Sequence, residues 1–150
     1  MVLPAAVPLL LMALAAVAPS APDCAGARVR LELTVTGLRS DLGLVTVVVY
    51  GDRPEDFLVR GRRLAKARLA IAGGRATACL PLPHGGIFAL AAYHDEDADG
   101  RFDRSWIGLP DEGFAFSNDP PTLAGLPAFD AVTFVARSGS NGMAIRMRYP

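Results

Sequence analysis

The chain lacks an excess of charge of either sign: fifteen Lys and Arg against fifteen Asp and Glu leave a formal net charge of zero. Nucleic acid and anionic membrane surfaces recruit proteins through a basic face, so neither is expected as a partner. A long helical period is also missing, and 15 glycines with 12 prolines in 150 residues break the chain into short elements. No nucleophile elbow surrounds a serine, and no internal repeat is evident. Cysteine is scarce. Cys24 and Cys79 are the only two, too few for a disulfide scaffold and enough for one bridge.

What is present fits one domain, since 150 residues of which 51% are apolar can bury a core of their own. The first stretch, 1–27, carries no Lys or Arg and includes an apolar run, Pro8-Leu9-Leu10-Leu11-Met12-Ala13-Leu14-Ala15-Ala16-Val17-Ala18. That run is shorter than the roughly twenty residues that span a bilayer, and small residues follow it, as in a signal peptide. Residues 1–27 are therefore expected to be a signal peptide and 28–150 the mature domain, exported to the periplasm or outside the cell, with no membrane span. Cleavage after Ala18 or Ala21 would leave a proline immediately downstream, and cleavage after Ala27 would remove Cys24. An uncleaved anchor is the alternative. Whether a Cys24–Cys79 disulfide exists and where cleavage falls are thus one question.

From Arg28 the pattern alternates strictly, with Val29, Leu31, Leu33 and Val35 on one side and Arg30, Glu32, Thr34 and Thr36 on the other. This predicts a half-buried strand. A branched apolar run over 44–50 predicts a second strand, and the turn composition between them suggests a hairpin. Strands over 64–71 and 75–82 flank Ala72-Gly73-Gly74 as a second hairpin, with Pro81 and Pro83 placing the latter strand at an edge. A strand over 87–93 is rich in alanine, and a last pair covers 131–136 and 143–149. Residues 105–124 have no period and read as one long ordered loop. The expected fold is all-β: a single-domain antiparallel β-sandwich of about seven strands, immunoglobulin-like or transthyretin-like.

Charge is segregated along this framework. Eight of the fifteen acidic residues fall within 95–119, whereas Arg60, Arg62, Arg63, Lys66 and Arg68 form a basic cluster upstream, in the manner of a solvated turn and strand edge. The acidic stretch begins as D-x-D-x-D-G-x-x-D, with Asp95, Asp97, Asp99 and Asp103 at the first, third, fifth and ninth positions and Gly100 at the sharp turn. Calcium is a hard cation that takes several oxygen ligands, and carboxylates at alternating positions of a tight loop can point inward together. The peptide carbonyl of Arg101 would add an oxygen at the seventh position. Trp106 stands where a helical calcium hand has its bidentate Glu, and the loop follows a strand, so a calcium loop of the kind found between β-strands is expected. Glu112 could approach from the long loop. The alternative is a solvated acidic turn without an ion. His94 reads as a hydrogen-bonded residue at a strand end, since one imidazole among carboxylates does not make a zinc site.

The stretch Ala92-Tyr93-His94-Asp95-Glu96-Asp97-Ala98-Asp99-Gly100-Arg101-Phe102-Asp103, followed by Ile107-Gly108-Leu109-Pro110-Asp111-Glu112-Gly113-Phe114-Ala115-Phe116-Ser117-Asn118, resembles the bacterial family known as domain of unknown function 2141. Leu33-Thr34-Val35-Thr36-Gly37-Leu38 and Pro54-Glu55-Asp56-Phe57-Leu58 are similar to the same family. The resemblance implies an exported β-sandwich of unassigned activity and supplies no catalytic residues. Members often carry asparagine at the positions of Asp97 and Asp99, which keeps an oxygen ligand and makes this copy more anionic.

Two functions compete on these residues. One is a monomeric binding or structural module of the cell envelope, its acidic loop filled by calcium and its His94, Trp106, Glu112, Phe114, Phe116 and Asn118 available to a glycan or an envelope protein. The other is a metal- or carboxylate-dependent hydrolase using 94–118, with Glu112 beside His94, or Ser117 and His94 as nucleophile and base. The basic cluster adds a third, weaker reading, a surface for an acidic partner.

Overall fold

A computed structural model describes residues 17–105, 107–123 and 125–150. The start of the expected signal peptide, 1–16, and Trp106 lie outside the described residues. The chain runs β1 (Val29–Thr36), β2 (Leu44–Tyr50), a single 3-10 turn over Pro54–Asp56, β3 (Ala65–Leu69), β4 (Ala76–Leu82), β5 (Gly86–Asp95), β6 (Phe114–Phe116), the one-turn helix α1 (Phe129–Val132), β7 (Thr133–Ala136) and β8 (Gly139–Arg146). These strands make two sheets. The smaller has the order β4-β1-β8, and the larger β3-β2-β5-β6, with β7 beside β6 along the same edge of β5. The fold is an all-β sandwich, as the strand pattern predicts.

Neighbour relations differ from that reading. Neither expected hairpin forms, and the last two strands do not pair: β1 and β2, β3 and β4, and β7 and β8 each divide between the two sheets. Across the Ala72-Gly73-Gly74 turn the only pairing is the isolated bridge of Ala72 with Arg75. The reason is physical. A turn signal marks where the chain reverses, and alternation marks a buried face, but two strands that pair side by side and two that face each other across a core share both signals. β1 instead pairs antiparallel with β4 and parallel with β8, in register from Val29 opposite Gly139 to Thr36 opposite Arg146. That pairing extends β8 back into the residues expected to be a connector. β4 does lie at an edge, where Pro81 has no N–H to offer.

The core lies between the sheets. Leu31, Leu33 and Val35 of β1 meet Val45, Val47 and Val49 of β2, with Leu69, Leu80, Phe88, Leu90, Ile145 and Met147 filling the rest. A second apolar cluster sits on the opposite face of the larger sheet, where Tyr50, Phe116 and Val132 pack with Phe57, Phe114 and Phe129. β2 packs against apolar side chains on both faces, which is why its sequence is apolar apart from Thr46 rather than alternating.

Residues 17–24 close the open side of the sandwich between β3 and β4. Ser20 bridges Arg68 on the β3 edge, Pro22 lines a cavity of about 90 Å³ together with Val47, Val49, Leu80 and Pro81, and Cys24 is disulfide-bonded to Cys79 with their Cα atoms 5.8 Å apart. This strap covers hydrogen-bonding groups that an edge strand would otherwise leave open.

Gly43 lies against the entry to the acidic loop, at Asp95 and Glu96. It has φ +68°, and a Cβ there would stand 1.9 Å from the Asp95 carbonyl oxygen. Gly43→Ala is therefore expected to cost more than about 2 kcal/mol, from the left-handed conformation and the clash together, which urea unfolding would measure.

Candidate metal centre

β5 delivers the site. Its register ends with Asp95 opposite Leu44, one residue short of Gly43, and the next residues coil tightly. Asp95 is fully buried and accepts from two loop amides, Asp99 N–H on Oδ1 at 3.0 Å and Gly100 N–H on Oδ2 at 2.9 Å. Asp97 Oδ1 accepts from Asp99 N–H at 3.1 Å, and Asp99 Oδ1 from Arg101 N–H at 2.7 Å. Gly100, at φ +81°, supplies the turn expected of it. The side chain of Arg101 is exposed.

The far end of the loop returns to this coil. Asp111 N–H donates to the Asp103 carbonyl at 3.1 Å, Arg104 bridges Pro110, and Ser105 N–H donates to the Leu109 carbonyl at 2.7 Å. This doubling back carries Glu112 into the cluster at 5% exposure, where Oε1 accepts from Glu96 N–H at 3.2 Å and Oε2 from Asp103 N–H at 3.1 Å. Two groups of carboxylates converge: oxygens of Asp95, Asp97 and Asp99 lie within 4.8 Å of one another, as do those of Asp97, Asp103 and Glu112. Asp97 belongs to both. A cleft of about 320 Å³ opens beside them, lined by Glu96, Asp97, Asp103, Arg104, Asp111 and Glu112.

Residues 33–143 match the family described as an uncharacterised protein conserved in bacteria, domain of unknown function 2141. The chain belongs to this family. The matched span holds the whole acidic loop and Glu112, and leaves Cys24 and Tyr149 outside it. No curated protein and no solved structure matches the chain.

In this member of the family, electrostatics oppose an empty cluster. The Glu112 carboxyl is raised from 4.5 to about 7, chiefly by burial and with help from the Asp95 and Asp103 charges, against the Asp103 and Glu96 amides that lower it. Asp95 is raised chiefly by burial, against the pull of the Gly100 amide, and Asp103 chiefly by burial and then by Asp99 and Asp97. Among the described residues, no ion pair reaches Asp95, Asp97, Asp99, Asp103, Asp111 or Glu112; Glu96 alone is paired, with Arg39 at 2.6 Å.

A pH dependence follows from Glu112. Its folded value lies above its unfolded one, so the folded chain keeps a proton that the unfolded chain releases between pH 4.5 and about 7. Stability without a metal should fall as pH rises through that window, by about 3 kcal/mol from this group. A cation held by the ionised carboxylate would reverse the trend, with apparent affinity weakening about tenfold per pH unit below 7. Thermal unfolding against pH, in chelator and in calcium, reads both.

The other candidates are placed elsewhere. His94 is fully buried: Nε2 lies 2.8 Å from the Leu42 carbonyl, which can only accept, so Nδ1 accepts from the Tyr149 hydroxyl at 2.7 Å. It ties the β1–β2 connection to the C-terminal segment and does not line the cleft. Ser117 is buried as well, donating to the Val132 carbonyl and accepting from Leu90 N–H. Asn118, at φ +66°, donates to the Thr133 carbonyl at 2.7 Å and so clamps the strand that follows α1. Phe114 and Phe116 lie on the outer face of the larger sheet. The sequence reading omitted Asp111, although its place beside Glu112 in Pro110-Asp111-Glu112-Gly113 was the available signal.

Proposed function

We propose that the acidic loop is a structural calcium site, and that the protein is an exported β-sandwich module whose long 96–112 segment is ordered by the ion for a binding or structural role at the cell envelope. The observation that carries this reading is Glu112: a buried carboxylate, sixteen residues along the chain from the Glu96 amide it accepts from, is returned beside Asp97 and Asp103, where no basic side chain among the described residues pairs with it. Placing uncompensated carboxylates together is costly, and a divalent cation removes that cost. All-oxygen donors favour a hard ion, and an open loop with carboxylates at several heights suits the larger, flexible shell of calcium over the rigid octahedron of magnesium. The Cys24–Cys79 bridge supports an oxidising compartment. The hydrolase alternative has less support, because Glu112 turns toward the acidic loop while both ring nitrogens of His94 are engaged.

Thermal unfolding with calcium, magnesium or chelator tests the proposal. Calcium at a hundredfold excess over its dissociation constant should stabilise by about 2.7 kcal/mol, or about 10 °C in the midpoint. Magnesium should do less, and Asp97→Ala combined with Asp99→Ala should abolish the response. A midpoint that calcium leaves unmoved would sink the reading.

A further inference from the structure

A second concavity lies on the outer face of the larger sheet, with a volume of about 300 Å³. Its floor follows from the register. Ala91 of β5 stands between its row partners Val48 of β2 and Phe116 of β6, so the smallest side chain sits between two larger ones and leaves a dip. In the next row Tyr93 is opposite Phe114, and Tyr50 and Phe102 complete the aromatic walls. Leu58 and Leu126 rise at the rim, 38% and 62% exposed.

One lining residue is charged. The Arg104 guanidinium lies 5.2 Å over the Phe102 ring, and its Nη1 donates to the Gly108 carbonyl at 3.2 Å. It enters no ion pair among the described residues, so most of its five N–H donors are unspent. Ring and carbonyl together hold the guanidinium at the groove, where a planar, fork-shaped donor matches a carboxylate with two parallel hydrogen bonds.

We propose that this groove binds a small anionic molecule with a flat apolar body, an aromatic carboxylate in chemical class, with its ring over Ala91 between Tyr50, Tyr93 and Phe114 and its carboxylate on Arg104. The volume is at the lower end of small-molecule sites, enough for one or two fused rings. Aromatic walls favour stacking and edge contacts with a ring. A glycan would need a denser set of polar groups than two tyrosine hydroxyls and one arginine provide. An extended peptide would need a free sheet edge, and this groove lies on a sheet face.

The test uses the disulfide-bonded protein with calcium present, because Arg104 also lines the acidic cleft. Titration calorimetry compares 2-naphthoate with the neutral 2-naphthylmethanol. Arg104→Gln should weaken naphthoate at least tenfold and leave the alcohol unchanged, whereas Ala91→Leu should weaken both at least tenfold by filling the dip. In the unmodified protein, naphthoate should shift the methyl resonances of Ala91 and Val48, a readout that requires no variant to fold. Absence of naphthoate binding, equal binding by Arg104→Gln, or methyl shifts confined to other residues would each overturn the assignment.

Discussion

Asp95→Ala is expected to lower the unfolding free energy of the calcium-free protein by about 1–3 kcal/mol, more than any other single carboxylate replacement in the acidic loop. The carboxylate is fully buried and is the shared acceptor for the Asp99 and Gly100 amides, so removing it strands the Gly100 amide and leaves the Asp99 amide with Asp97 alone, where the loop folds over its own strand end. A stranded donor costs about 1–3 kcal/mol, and relief of repulsion from Asp97 and Asp99 returns part of it. Asp97 is a contrast. It is exposed, and water replaces its one amide contact, so Asp97→Ala should change calcium-free stability by less than about 1 kcal/mol. Both variants should lose the calcium response. Denaturant unfolding in chelator, repeated in calcium, separates the two roles: Asp95 organises the loop and the ion, Asp97 the ion alone. Equal calcium-free stability for the two variants would show that Asp95 is not the organiser.

Cys24→Ser should cost the chain about 4 kcal/mol, the loop entropy released when a cross-link spanning 55 residues is removed. For a domain of this length that corresponds to a fall of about 10–15 °C in midpoint. The bridge also anchors the strap whose Ser20 caps the β3 edge, so the variant should exchange the backbone amides of β3 faster than those of β5. Reduction of the unmodified protein should reproduce both effects, read by calorimetry and hydrogen exchange. A reduced protein as stable as the oxidised one would show that the strap holds without its covalent tie.

Much of the fold was legible because burial leaves a period of two. The alternation of Val29, Leu31, Leu33 and Val35 predicts β1 and its inward face, and the branched run of 44–50 predicts β2, whose second covered face the structure adds. The short β6 was hidden in the stretch read as loop, since three residues, Phe114-Ala115-Phe116, are too few to show a period. Sheet membership was not legible either. Each connection that reads as a hairpin turn passes between layers, and only long-range pairings such as β1 with β8, over a hundred residues apart, decide which sheet receives a strand.

The candidate site divides along the same line. Sequence alone determined the local part: carboxylates at alternating positions and a glycine at the turn make a loop whose amides fold back on Asp95, Asp97 and Asp99, and every one of those contacts spans five residues or fewer. Tertiary structure decided the rest. Glu112 reaches the cluster only because residues 103–111 double back, His94 is engaged only because Leu42 and Tyr149 arrive from distant segments, and the aromatic groove exists only because Ala91 is placed between Val48 and Phe116. Local spacing encodes contacts made within one turn of chain. Contacts between segments depend on which surfaces the core brings together, and that is a property of the packed sheets.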